Sequence, residues 1–281
     1  MSAPDGLRLH VRSYGPRGGR LRPVVCLPGL ARTTDDFDAL AGALANDPDR
    51  ARYVLAIDYR GRGQSEYDTN PGNYNVATEV ADLLAVLTAL EIERAVFVGT
   101  SRGGILAMLL ATLQPGAIAG VALNDIGPVI ETTGLVRIKS YVGRLPQPRS
   151  FEDGGEILRS LFSSQFPKLG PDDWTMFARR TFMEQDGLLK PRYDPKLARV
   201  LDDIDMQRSL PPLWREFDAL ASVPVMVIRG ANSDILSAET VEAMRARRPD
   251  IVTLEVPDQG HAPLLTESDV IAEIGAFISR C

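Results

Sequence analysis

A chain of 281 residues with 44% hydrophobic content can bury a full core, and 31 Lys plus Arg against 37 Asp plus Glu gives a formal charge of −6 without long blocks of one sign. That balance argues against nucleic acid as a partner. No apolar run approaches the roughly 18 to 20 residues needed to cross a bilayer, and no basic stretch leads into an apolar core at the N-terminus, so the expectation is a cytoplasmic protein without membrane insertion.

Leu7 to Tyr14 alternates apolar and polar positions, the period of a half-buried strand, with His10 on its polar phase. Pro23 to Leu27 is a continuous apolar run, the mark of a strand covered on both faces, and it ends in Pro28-Gly29-Leu30. A helix is expected over 35–45, a buried strand over 53–57, then a compact loop, Asp58-Tyr59-Arg60-Gly61-Arg62-Gly63-Gln64-Ser65. An amphipathic helix over 76–90 carries Val80, Leu83, Leu84, Leu87 and Leu90 at helical spacing. Further strands are expected over 95–98 and 118–123, separated by a helical run over 105–113.

From about Pro128 to Phe217 the alternation stops: no convincing strand is visible, and short helical pieces over 155–162 and 172–182 carry Trp174 and several phenylalanines. These aromatics can hold a small helical subdomain together, or line an apolar pocket with their inner face. Strands over 223–228 and 251–256 and helices over 238–247 and 267–278 then resume the earlier pattern. The fold class read from this order is α/β: a mostly parallel central sheet flanked by helices, with 1–127 and 218–281 as its core and 128–217 as a helical cap.

The chemistry centres on Gly99-Thr100-Ser101-Arg102-Gly103, a G-x-S-x-G between a strand and a helix. Such a turn forces the serine towards positive φ and pushes its hydroxyl out of the sheet, making Ser101 the candidate nucleophile. No Gly-Lys-Ser/Thr or G-x-G-x-x-G phosphate loop is present at this position. A serine needs a base, and of the two histidines only His261 lies beyond a strand end, at the edge where the turn projects; His10 reads as structural. Asp125 and Asp234 both follow strands and both precede His261, so either can orient the imidazole, whereas Asp258 shapes a turn. The oxyanion donors expected are the backbone N–H groups of Arg102 and of Leu30. Cys26 and Cys281 have no nearby His or Cys partners, so no disulfide framework or metal cluster is expected, and the scheme needs no cofactor.

Five motifs in this order, Leu27 to Leu30, Asp58 to Ser65, Gly99 to Gly104, Arg229 to Asp234 and Gly260-His261, resemble those of serine-dependent members of the α/β-hydrolase superfamily, over nearly the whole chain outside the cap. The resemblance implies that Asp234, in an Arg-Gly-x-x-Ser-Asp turn, is the orienting acid, with Asp125 as the alternative. It also implies that the 58–65 loop is structural, with Arg60 tying loops together near the site. Two departures stand out. Pro28 replaces the histidine that many relatives carry before the glycine, and Arg102 replaces an uncharged residue after the nucleophile. The Arg102 side chain either pairs with a nearby acid or favours an acidic group on the substrate.

The implied reaction is hydrolysis of a carboxylic ester or lactone through an acyl-enzyme, acting on a small molecule with an apolar group. Serine at the turn argues against relatives that open epoxides or displace halide with an aspartate. Carbon–carbon bond hydrolysis and cofactor-free perhydrolysis use the same triad, and a ligand receptor that binds through its cap keeps the same fold. Substrate identity and oligomeric state stay open at this level.

Overall fold

The short apolar runs become strands because both of their faces are covered. In the computed structural model, which describes residues 1–202, 204–205 and 208–281, the chain begins with β1 (Val11–Tyr14), β2 (Val24–Leu27), α1 (Asp38–Ala45), β3 (Val54–Ile57), α2 (Val76–Ala89), β4 (Ala95–Thr100), α3 (Arg102–Leu113) and β5 (Ile118–Asn124). The middle of the chain forms α4 (Thr132–Tyr141), α5 (Phe151–Phe162), α6 (Pro171–Thr181), β6 (Phe182–Gln185), β7 (Leu188–Pro191) and α7 (Trp214–Asp218). It closes with β8 (Val225–Gly230), α8 (Ala238–Arg247), β9 (Val252–Val256) and α9 (Ser268–Ile278). Positions 203, 206 and 207, inside the stretch expected to form a cap, lie outside the described residues.

Seven strands form one sheet in the order β1-β3-β2-β4-β5-β8-β9, parallel throughout except for the antiparallel pairing of β1 with β3. Alternation along the strands splits the core in two. Val24, Cys26, Val54, Ala56, Val96 and Val98 pack under Leu40 and Leu44 of α1 and Ile274 and Phe277 of α9. Val25, Leu27, Leu55, Phe97, Val121 and Leu123 pack under Leu83 and Val86 of α2 and Leu106 and Leu110 of α3.

Register then decides what can meet at the carboxyl edge. Leu27 pairs with Gly99, Thr100 with Asn124, and Asn124 with Ile228, so the loops that leave β2, β4, β5 and β8 emerge side by side. Residues 28–31, 101, 125 and 231–234 are thereby gathered into one patch.

The segment between β5 and β8 has an apolar cluster of its own, built from Leu158, Phe162, Phe166, Trp174, Ala178, Phe182 and Leu189. Trp174 and Phe177 stack at 6.0 Å, and Phe166 meets both edge-on. Phe217 is different, being buried in the main core. The expectation that this segment has no strand needs correcting: β6 and β7 form a hairpin whose register, Gln185 opposite Leu188, leaves Asp186 and Gly187 as a two-residue turn. Both turn residues have positive φ, 56° and 72°, the conformation that Asp-Gly accommodates in tight hairpins. Among the described residues, no helix is long and apolar enough to cross a membrane.

Candidate active site

Ser101 sits between β4 and α3 with φ 50° and ψ −111°, the strained geometry expected of the serine turn. The strain is tolerated because the neighbouring glycines let the backbone close up. A Cβ on Gly103 would lie 2.0 Å from the Leu27 carbonyl oxygen, and one on Gly99 would lie 2.5 Å from the Gly104 nitrogen.

His261, in the loop after β9, brings its Nε2 to 2.9 Å from Ser101 Oγ and its Nδ1 to 2.8 Å from Asp125 Oδ2. An ionised carboxylate only accepts, so the Nδ1–H donates to Asp125 and Nε2 is left to accept from the serine hydroxyl. The Asp125 side chain is fully buried and that of His261 nearly so, at 7% exposure. Asp125 is held from three sides: Ser233 Oγ donates to Oδ2 at 2.6 Å, the Gly230 N–H donates to Oδ1 at 2.8 Å, and its own N–H donates to the Ile228 carbonyl.

The preference for Asp234 is therefore corrected. Its carboxylate makes a two-point contact with Arg137 of α4, at 2.6 Å to Nε and 2.8 Å to Nη2, while the His261 Nδ1 is met by Asp125. The 229–234 turn serves the site in another way, since Gly230 and Ser233 fix Asp125. Asp234 fastens α4 to the sheet instead, aided by its carbonyl, which accepts the Gly134 N–H.

Several contacts around this chain of residues carried no recognisable sequence signal. Asn124 Nδ2 donates to Thr100 Oγ1 and to the Pro263 carbonyl, both at 3.0 Å, tying the β4 and His261 loops together. The Gln165 side-chain oxygen accepts the His261 N–H at 2.9 Å, so the segment between β5 and β8 touches His261 directly. Leu30 lies in the loop beside Ser101, where a Cβ on Gly29 would stand 3.9 Å from Ser101 Cβ. Its carbonyl accepts from Arg62 Nε at 2.8 Å. Arg102, next in sequence to Ser101, turns its side chain away to Glu79, with Nε 2.7 Å from Oε2. Pairing with an acid is thus its observed state.

Arg60 does tie loops together, but elsewhere. It pairs with Asp82, Asp68 and Asp5, and the residue of its loop that reaches the site is Arg62. His10 bonds Asp58, 2.7 Å from its Nδ1, beneath the same loop and away from Ser101.

A largely apolar pocket opens over Ser101 and His261, lined by Gly29 and Leu30 on the sheet side and by Ile138, Tyr141, Val142, Leu145, Leu158, Phe162, Phe166 and Phe177 from the middle segment. Phe162, Phe166 and Phe177 thus serve both readings of the aromatics, packing the segment and facing the pocket. Arg32 also reaches the pocket with its charge already met: Nε and Nη2 contact Asp36 at 2.8 and 2.5 Å, Nη1 donates to Thr181, and the guanidinium lies over the Phe177 ring. Serine, imidazole and buried carboxylate in line, beneath an apolar pocket, form an arrangement suited to nucleophilic attack on a carbonyl.

Residues 24–274 match a family model described as alpha/beta hydrolase family. The chain is 35% identical to the 3-hydroxybutyrate-oligomer hydrolase of Cupriavidus necator, over 99% of this chain and 95% of that protein. It is 26% identical to the 2-(acetamidomethylene)succinate hydrolase of Mesorhizobium japonicum, over 74% and 71% of the two chains. Among solved structures, an alpha/beta hydrolase from Novosphingobium aromaticivorans superposes with a TM-score of 0.92 at 38% identity, covering 100% of this chain and 97% of that one.

Proposed function

The chain belongs to the alpha/beta hydrolase family, and from that premise we propose that it is a serine hydrolase that cleaves carboxylic esters, with short 3-hydroxyalkanoate oligomers as its substrate class. The observation that carries the reading is the hydrogen-bonded line from Ser101 through His261 to Asp125. Ser101 Oγ attacks the ester carbonyl as His261 Nε2 takes its proton, and the backbone N–H groups of Leu30 and Arg102 hold the oxyanion. Collapse expels the alcohol with the proton carried by His261. Water, deprotonated by the same nitrogen, then attacks the acyl-serine and frees the acid. Asp125 holds the imidazole in its working tautomer and steadies the imidazolium.

The substrate class is supported by the similarity to the oligomer hydrolase over nearly its full length, and by a pocket whose lining suits short aliphatic units. The 128–217 segment acts as the cap, supplying ten of the 23 residues that line the pocket. Incubation with the dimer and trimer of 3-hydroxybutyrate tests the reading. Release of the monomer by the parent protein and its loss, on the order of 10⁶-fold in kcat, in Ser101→Ala is the outcome expected. Equal monomer release by both proteins refutes it.

A further inference from the structure

Glu79 lies on the buried side of α2, in line with Leu83 and Val86, and its side chain is fully excluded from solvent. A buried carboxylate is costly unless opposite charge compensates it. Here two guanidiniums do so. Arg102 Nε donates to Oε2 at 2.7 Å, and Arg62 Nη2 stands 2.8 Å from Oε1, close enough for ion pairing although its N–H is not aligned on that oxygen. Burial pushes the Glu79 carboxyl up, but the charges of Arg62 and Arg102 more than offset this and hold it below its ordinary range.

The two arginines are not arbitrary partners. Arg102 carries one of the two backbone N–H groups assigned to the oxyanion hole. Arg62 Nε grips the carbonyl of Leu30, one Cα away from the other such N–H, while its Nη1 donates to the Arg60 carbonyl at 2.7 Å. The loop after β2 and the start of α3 are thus joined behind the site through a single carboxylate. As a pure stability device the cluster is poor, since it buries two positive charges against one negative and leaves Arg102 Nη2 and the Tyr59 hydroxyl without partners among the described residues.

We propose that Glu79 is a positioning residue for the oxyanion hole, its carboxylate bridging Arg62 and Arg102 so that the Leu30 and Arg102 N–H groups keep a fixed separation. This rests on the ester-hydrolase reading of the site, and acts through backbone placement, not through contact with substrate. Because a misplacement of about 1 Å at a reacting centre can cost about 100-fold, loss of the bridge acts on turnover more than on ground-state binding.

The test is Glu79→Gln, assayed per active site after titration with a fluorophosphonate. The expected result is a fall in kcat of about 10- to 100-fold with KM within about threefold, and a parallel fall in the rate of Ser101 phosphonylation. Arg62→Lys keeps the positive charge but cannot hold Leu30, Arg60 and Glu79 together; it gives the same kcat-selective loss and serves if Glu79→Gln fails to fold. A folded variant of either kind with kcat per titrated site within about twofold of the parent overturns the proposal, even if its melting temperature drops. Ser101→Ala, run alongside, separates the two levels. If it retains activity, the reading of the site fails; if it is inactive while the Glu79 and Arg62 variants turn over normally, only the bridge fails.

Discussion

Asp125 and His261 are separated by 136 positions in the chain and by 2.8 Å between carboxylate and imidazole. The contact exists because β5 lies between β4 and β8, so the residue after β5 reaches across the end of β8 to the loop after β9, beside the serine that follows β4. Asp125→Asn is expected to lower kcat by about 10⁴-fold with little change in KM, because the amide favours the wrong imidazole tautomer. Asp234→Asn is expected to cost less than about tenfold and to act through the fastening of α4. Steady-state kinetics of the two variants decide, and the reverse ranking restores Asp234 as the acid.

Arg102 meets Glu79 behind the serine turn, so its charge is spent away from the pocket. Arg102→Met keeps the backbone N–H and is expected to slow turnover of neutral and acidic esters by the same factor. A ratio of their kcat/KM values that shifts by more than about threefold contradicts this, and brings back an acidic substrate group as the partner of Arg102.

The Glu79 carboxyl is held below its ordinary value of 4.5, so near that pH the folded protein binds fewer protons at this site than the unfolded chain does. The resulting stability is fully present above the unfolded value and is lost as pH falls through the folded one. Urea unfolding at pH ~7 and pH ~3.5 is expected to show a larger loss for the parent than for Glu79→Gln, whose amide does not titrate. Equal losses contradict a Glu79 carboxyl held below its ordinary value.

Leu145 lines the pocket and packs against the aromatic cluster of the segment between β5 and β8. Leu145→Trp is expected to raise KM for esters with long acyl chains by about tenfold while leaving acetyl esters within about threefold. A uniform change across a chain-length series contradicts an acyl group seated against Leu145.

Much of this architecture is legible in the sequence. The continuous apolar runs of β2 to β5 and the helical spacing of α2 locate themselves, and Ser101 and His261 follow from a turn motif and from the scarcity of histidine. The acid does not, because Asp125 and Asp234 both follow strands and both precede His261. Only the side-chain contacts across β5 and β8 distinguish them, and pattern along the chain carries no such information. The β6–β7 hairpin did announce itself, in the Asp186-Gly187 turn, but its flanking strands are short and only partly apolar. Glu79 left a subtler mark: it stands four residues before Leu83 and seven before Val86, a charge on the apolar stripe of α2 where a solvent-facing residue has no place.

The reactive state of Ser101 carries the whole account, and peptide-mapped fluorophosphonate labelling of the folded protein measures it most directly. The expected result is a single adduct on Ser101, absent in Ser101→Ala and formed far more slowly in His261→Ala. A folded protein that hydrolyses 3-hydroxybutyrate oligomers yet leaves Ser101 unlabelled, or carries the adduct elsewhere, contradicts it.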